Sequence, residues 1–182
     1  MKKLCLLFVF FLCLALPLLA QDQETKPSES EMASMTPPPG LDDEFIKWMV
    51  GEWQGTTESP MGKSTDLQKC WFGLDGQFLM MDFTSEWGGS NYRGLGAITL
   101  TQNGEVQGYW IDNMRTMSKG KGKLEGNVVT MEWESQMGKM TRVMEKVSDD
   151  KFTVAVKWPG PDGNMVEAHS EMTRKPVMTD KK

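Results

Sequence analysis

Two carboxylates and one histidine are the side chains of this sequence whose surroundings could support chemistry. Asp112 follows Val106, Gly108 and Trp110 at alternate positions, and Glu145 alternates with Val143 and Val147. In an extended strand alternate residues share a face, so each acid would sit among apolar neighbours. Partial desolvation there would suit both to general acid–base work. The plainer reading is that they form internal ion pairs with Arg93, Arg142 or Arg174. His169 is the single histidine, and Cys5, Cys13 and Cys70 are the three cysteines. That is too few for zinc-ligand spacing or a Cys–His nucleophile pair. Met114 with Met117, or Met137 with Met140 and Met144, offer thioethers of the kind that hold copper(I). Without accompanying histidines or cysteines they read as adaptable core filling. The sequence thus assigns no catalytic residues, no metal site and no cofactor.

What must position these residues is a run of short strands. Asp75-Gly76, Gly88-Gly89, Asn103-Gly104, Gly126-Asn127, Met137-Gly138, Asp149-Asp150 and Asp162-Gly163-Asn164 each separate β-prone segments. Turns of this kind make sequence neighbours pair as hairpins. The spacing predicts strands over 51–58, 65–73, 77–87, 92–101, 105–113, 117–125, 128–136, 139–148, 151–159 and 165–174. Ten such strands in a meander leave two unpaired edges, which closure removes. The expected fold is therefore all-β, an antiparallel up-and-down barrel of about ten strands. A short helix from Asp42-Asp43-Glu44 through Phe45, Ile46, Trp48 and Met49, stopped at Gly51, would plug it.

Alternation predicts which side chains enter the barrel. Val106, Gly108, Trp110 and Asp112 form one inner set, Val129, Met131 and Trp133 a second, and Phe152, Val154, Val156 and Trp158 a third. Val166, Ala168, Ser170, Met172 and Arg174 form the last, while Lys119, Lys121 and Lys123 face solvent. The second and third strands are ambiguous by this test. Glycines inside strands, at Gly94, Gly96, Gly108, Gly120 and Gly122, suit the bends a closing barrel needs.

The ends of the chain have a different composition. Met1-Lys2-Lys3, the apolar run Leu4 to Leu19 and the small Ala20 have the layout of a cleaved secretory signal peptide over residues 1–20. Residues 21–40, rich in Glu, Ser, Thr and Pro, read as a disordered linker. The barrel domain then spans 41–175, with a frayed tail over 176–182. Losing Lys2 and Lys3 and no acid takes the net charge from −5 to −7, which argues against nucleic acid as a partner. Export to the periplasm or outside the cell is expected, with no stable membrane insertion once the leader is gone. Cys70 is then the sole cysteine, so no internal disulfide supports the fold.

Gly51-Glu52-Trp53 after a short helix resembles the Gly-x-Trp signature that opens lipocalin-type barrels. There the tryptophan closes one end and a basic residue of a late strand lies across its ring, a role that falls to Arg174 here. More widely the chain resembles a bacterial domain-of-unknown-function family, number fifteen-seventy-nine, itself similar to lipocalin-like and nitrobindin-like barrels. The resemblance is carried by Gly51-Glu52-Trp53-Gln54-Gly55, by Trp71-Phe72-Gly73-Leu74-Asp75-Gly76-Gln77-Phe78-Leu79, by Tyr109-Trp110-Ile111-Asp112-Asn113-Met114 and by Met172-Thr173-Arg174-Lys175. The chain departs from the family at Gln77, where a basic residue is usual, and at Leu100-Thr101, which replaces a Gly-Tyr-Asp turn. The resemblance implies the barrel and no established activity. Nitrobindin-like barrels hold haem through a histidine near the last strand. His169 stands five residues before Arg174, an odd offset that turns it outward if Arg174 faces in.

Three readings follow. The first is a barrel that binds a small apolar or amphipathic molecule among Trp110, Met131, Trp133 and Trp158, with Asp112 as a placed polar group. The second is an enzyme of the same fold using Asp112 and Glu145. The third is a filled barrel acting as an interaction module. The state of the interior separates them.

Overall fold

The computed structural model describes residues 37–101, 103–135 and 138–176. The leader over 1–20, the linker as far as residue 36, Met137 and the tail from residue 177 lie outside the described residues. Helix α1 (Glu44–Met49) precedes ten strands: β1 (Gly51–Ser59), β2 (Gly62–Gly73), β3 (Phe78–Trp87), β4 (Ser90–Leu100), β5 (Glu105–Asp112), β6 (Met117–Glu125), β7 (Val128–Ser135), β8 (Gly138–Ser148), β9 (Lys151–Pro159) and β10 (Met165–Arg174). Each strand pairs antiparallel with its sequence neighbours, and β1 closes on β10, so the sheet has no free edge. The fold is a lipocalin-like β-barrel.

Local chemistry explains the punctuation. Asp43 caps α1, its Oδ1 accepting from Phe45 N at 2.8 Å and Ile46 N at 3.0 Å. The helix ends at Met49 with Val50 as its C-cap, one residue before the expected stop at Gly51. Its buried face, Phe45, Ile46 and Met49, plugs one end of the barrel. Between β3 and β4 the turn needs positive φ at both central residues, and Gly88 (52°) and Gly89 (82°) supply it. Just before the barrel, Leu41 N donates to Gly76 O at 2.8 Å and Gln77 Nε2 to Pro38 O at 2.6 Å.

Six of the in-strand glycines divide between two uses. A Cβ at Gly55 would strike the Glu171 carbonyl, and one at Gly122 the Thr130 carbonyl, so these admit a neighbouring strand. At the other four, Gly94 and Gly96 lie under the Trp110 indole, and Gly108 and Gly120 under that of Trp133. Two tryptophans can therefore lie flat against the inner wall instead of projecting across the barrel.

Candidate functional site

The register decides which side chains face inward. Trp53 pairs with Gln68, Gln68 with Phe83, Phe83 with Gly94 and Gly94 with Asp112. Gly120 pairs with Trp133, Trp133 with Met140, and Arg142 with both Met131 and Val156. Around the helix end the inner face is apolar and closed: Trp53, Leu79, Val106, Phe152, Met144 and Met172 are shut off from solvent. Toward the opposite end, Phe83, Tyr92, Trp110, Arg142, Val156 and Trp158 have the same inward parity yet keep accessible surface. This second half is the candidate site.

At the closed end Arg174 Cζ lies 4.1 Å from the centre of the Trp53 ring. Its Nη1 donates to Val50 O at 2.8 Å and its Nη2 to Trp48 O at 2.6 Å, tying β10 to the end of α1. Trp53 Nε1 donates to Met49 O at 2.9 Å, and Phe152 stacks edge-on against the same indole. Helix, first strand and last strand thus meet on one ring pair.

One wall of the interior is polar, and alternation did not find it. Ser64, Asp66, Gln68 and Cys70 are the inward residues of β2, all buried, while Leu67 (46% exposed) and Phe72 (37%) face out. Asp66 has no exposed surface and accepts from Thr57 Oγ1 (2.5 Å), Ser64 Oγ (2.7 Å) and Ser85 Oγ (2.6 Å). Thr57 Oγ1 in turn lies 2.5 Å from Ser170 Oγ, so four strands share the network. The missed signal was the two-residue turn Pro60-Met61. It pairs Ser59 with Gly62 and carries the inward parity of Trp53 directly to Gln68, Asp66 and Ser64.

The predicted residues land as follows. Trp110 is inward and half-buried; its Nε1 donates to Tyr92 Oη at 2.6 Å, and Phe83 lies beside both rings. Asp112 has the same parity, but its Oδ1 accepts from Met114 N (3.0 Å) and Thr116 N (2.9 Å), closing the β5–β6 turn. Its Oδ2 accepts from Tyr92 Oη at 3.3 Å. Met131 and Trp133 are inward and buried, and Trp158 is inward and half-buried. Glu145 overturns its expectation: it follows the buried Met144 and is exposed on the outer face, so it is no partner for Asp112 inside the barrel. Arg93 sits outside, bidentate on Asp82 at 3.1 and 2.7 Å. His169 pairs with Glu58 on the outer face, its Nε2 3.2 Å from Glu167 Oε1.

Burial governs the titration of the interior groups. It pushes the Cys70 thiol up to about 11, against the pull of Gln68, Arg142 and Arg174, and the Tyr92 phenol up to about 12. Burial also lowers the Arg142 guanidinium, in the field of Cys70 and Tyr92. Two clefts lie elsewhere. One of about 630 Å³ separates α1 from the neighbouring hairpins, lined by Phe45, Trp48, Leu100, Leu124 and Lys146. The other, about 520 Å³, runs along the outside of β5–β7 beside Gln107, Lys121, Thr130 and Glu132. Neither is lined by Arg142 or the three interior tryptophans.

Neither a protein-family model nor a curated protein matches the sequence. Solved structures do share the fold. Rv2717c from M. tuberculosis is 10% identical, with 74% of this chain and 99% of that one covered at a TM-score of 0.60. The S-type phycobiliprotein lyase CPES from Guillardia theta is also 10% identical, covering 74% and 92%, at a TM-score of 0.53. At these identities the likeness is one of barrel architecture.

Proposed function

We propose that this is an exported binding barrel that takes a small apolar or amphipathic molecule into the half of its interior away from α1. The observation that carries the reading is the contrast along the inner face. The helix end is packed shut, whereas six inward side chains of the other half, Phe83, Tyr92, Trp110, Arg142, Val156 and Trp158, keep accessible surface beside the buried Ser64, Asp66, Ser85, Ser118 and Trp133. An apolar wall with a few placed polar groups is the usual make-up of a small-molecule site. The glycines under Trp110 and Trp133 favour an open interior by letting both indoles lie against the wall. The likeness to a phycobiliprotein lyase supports the architecture and leaves the ligand to experiment.

A neutral apolar fluorophore added to the protein should quench tryptophan emission and bind saturably. Trp110→Ala should weaken that binding more than Lys119→Ala or Lys121→Ala, whose side chains are outside. Equal effects from all three variants would remove the interior site. Export rests on residues 1–20, which we read as a cleaved leader ahead of a periplasmic or secreted protein of family fifteen-seventy-nine. N-terminal sequencing of the mature protein should begin at or near Gln21; retention of Met1 in a membrane fraction would refute it.

A further inference from the structure

Arg142 is the cation of the open half of the interior, and among the described residues it has neither an ion-pair nor a hydrogen-bond partner. It stands on the inner face of β8, level with Met131 on one side and Val156 on the other. Arg174 is taken up by two carbonyls at the closed end and Arg93 by Asp82 on the outer face, while Arg115 is exposed in the β5–β6 turn. The inward carboxylates Asp66 and Asp112 are occupied too, Asp66 by three hydroxyls and Asp112 by its turn. A second donor lies in the same patch. Trp133, diagonal to Arg142 across the β7–β8 ladder, has a buried Nε1 with no acceptor.

A half-buried charge without a partner in an apolar interior is costly, and the buried Trp133 N–H without an acceptor adds to that. Replacing such an arginine by an apolar residue of similar length is commonly neutral or stabilising. An arginine kept there serves something other than the stability of the empty barrel. Its planar fork matches a carboxylate, which could accept from both guanidinium nitrogens. The surrounding wall is apolar, with Met140 on the same strand and Met131, Val156 and Trp158 on the adjacent strands, so the remainder of the ligand would be hydrocarbon. A single guanidinium neutralises a single negative charge.

Resting on the binding function proposed above, we infer that Arg142 is an anion anchor and that the barrel's ligand is an amphipathic monocarboxylate. Its carboxylate is held by Arg142, and its apolar part lies among the interior tryptophans and methionines.

The test compares dodecanoate with dodecanol, equal in chain length and different in charge, by calorimetry on the mature protein. Wild type should bind dodecanoate more tightly than dodecanol. Arg142→Met should weaken dodecanoate about ten- to a hundredfold, the worth of a charged hydrogen-bonded contact, and leave dodecanol unchanged. The unliganded variant should melt no lower than wild type, which a structural arginine would not allow. Should Arg142→Met fail to fold, the anchor is refuted by that result alone. Equal binding of the two probes to wild type and variant would also refute it, while the binding barrel stands. Binding of neither probe would overturn both.

Discussion

At the helix end the inner face carries Trp53, Leu79, Val106, Phe152 and Met172, each cut off from solvent; at the far end it carries Tyr92, Trp110, Arg142 and Trp158, each still reached by it. Both halves belong to the same strands and obey the same alternation. The difference lies in what covers them. Phe45, Ile46 and Met49 of α1 fill the first half, and Arg174 fastens that helix to the last strand. Among the described residues no comparable element fills the second. Stability is therefore concentrated at one end, and the other is free to hold side chains that suit a guest better than they suit the fold.

The comparison breaks if the two ends respond alike to truncation. Trp53→Ala removes a fully buried indole with its hydrogen bond to Met49 and its edge contact with Phe152, and should cost about 3–5 kcal/mol in urea unfolding. Trp158→Ala, half-buried at the open end, should cost about 1 kcal/mol, because solvent can enter the space it leaves. Similar losses would mean that both halves are packed.

Arg174 sharpens the same contrast. Arg174→Ala loses two hydrogen bonds to carbonyls and the stacking on Trp53, and should cost about 2–4 kcal/mol. Lysine, with one ammonium, cannot span both carbonyls and should recover less than half. Arg142, at the open end, should show the opposite sign.

How far the sequence led follows from where alternation is informative. Strands β5, β7, β9 and β10 carry a clearly apolar face, and their inner sets emerge from composition because only one parity can be buried. Strand β2 does not: its inner residues are Ser64, Asp66, Gln68 and Cys70, and its outer ones include Leu67 and Phe72. Hydrogen bonding among hydroxyls and one carboxylate outweighs hydropathy there, a balance that composition cannot display. Glu145 failed for a related reason. Val143 and Val147 flank it, but the buried Met144 on the other parity is packed against the core and sets the strand's orientation. Arg142 was legible only as a possible partner for an acid; that no acid meets it depends on five other strands.

Alkali should loosen the closed end through Cys70. Its thiol moves from an ordinary value of 9.0 up to about 11 in the folded barrel because burial disfavours the thiolate. Between those values the unfolded chain has released its proton and the folded one has not. The stabilisation is complete below pH 9 and is lost as pH rises through about 11, amounting to about 3 kcal/mol. Tyr92, raised to about 12, extends the loss beyond pH 10. Chemical denaturation across pH 8–11 should show this slope, and Cys70→Ala should remove the part that begins near pH 9.

The smallest effect should come from His169, and it tests the parity on which the inner faces rest. With Arg174 directed at Trp53, an unbulged β10 turns every residue at an odd offset outward. His169 accordingly pairs with Glu58 and reaches Glu167 on the outer surface. An exposed ion pair of this kind is worth little, so His169→Ala should change stability by less than about 0.5 kcal/mol. Haemin added to the protein should give no sharp Soret band that His169→Ala abolishes. A band that depends on His169 would place its imidazole inside the barrel, and with it reverse the parity of β10 and the inward direction of Arg174.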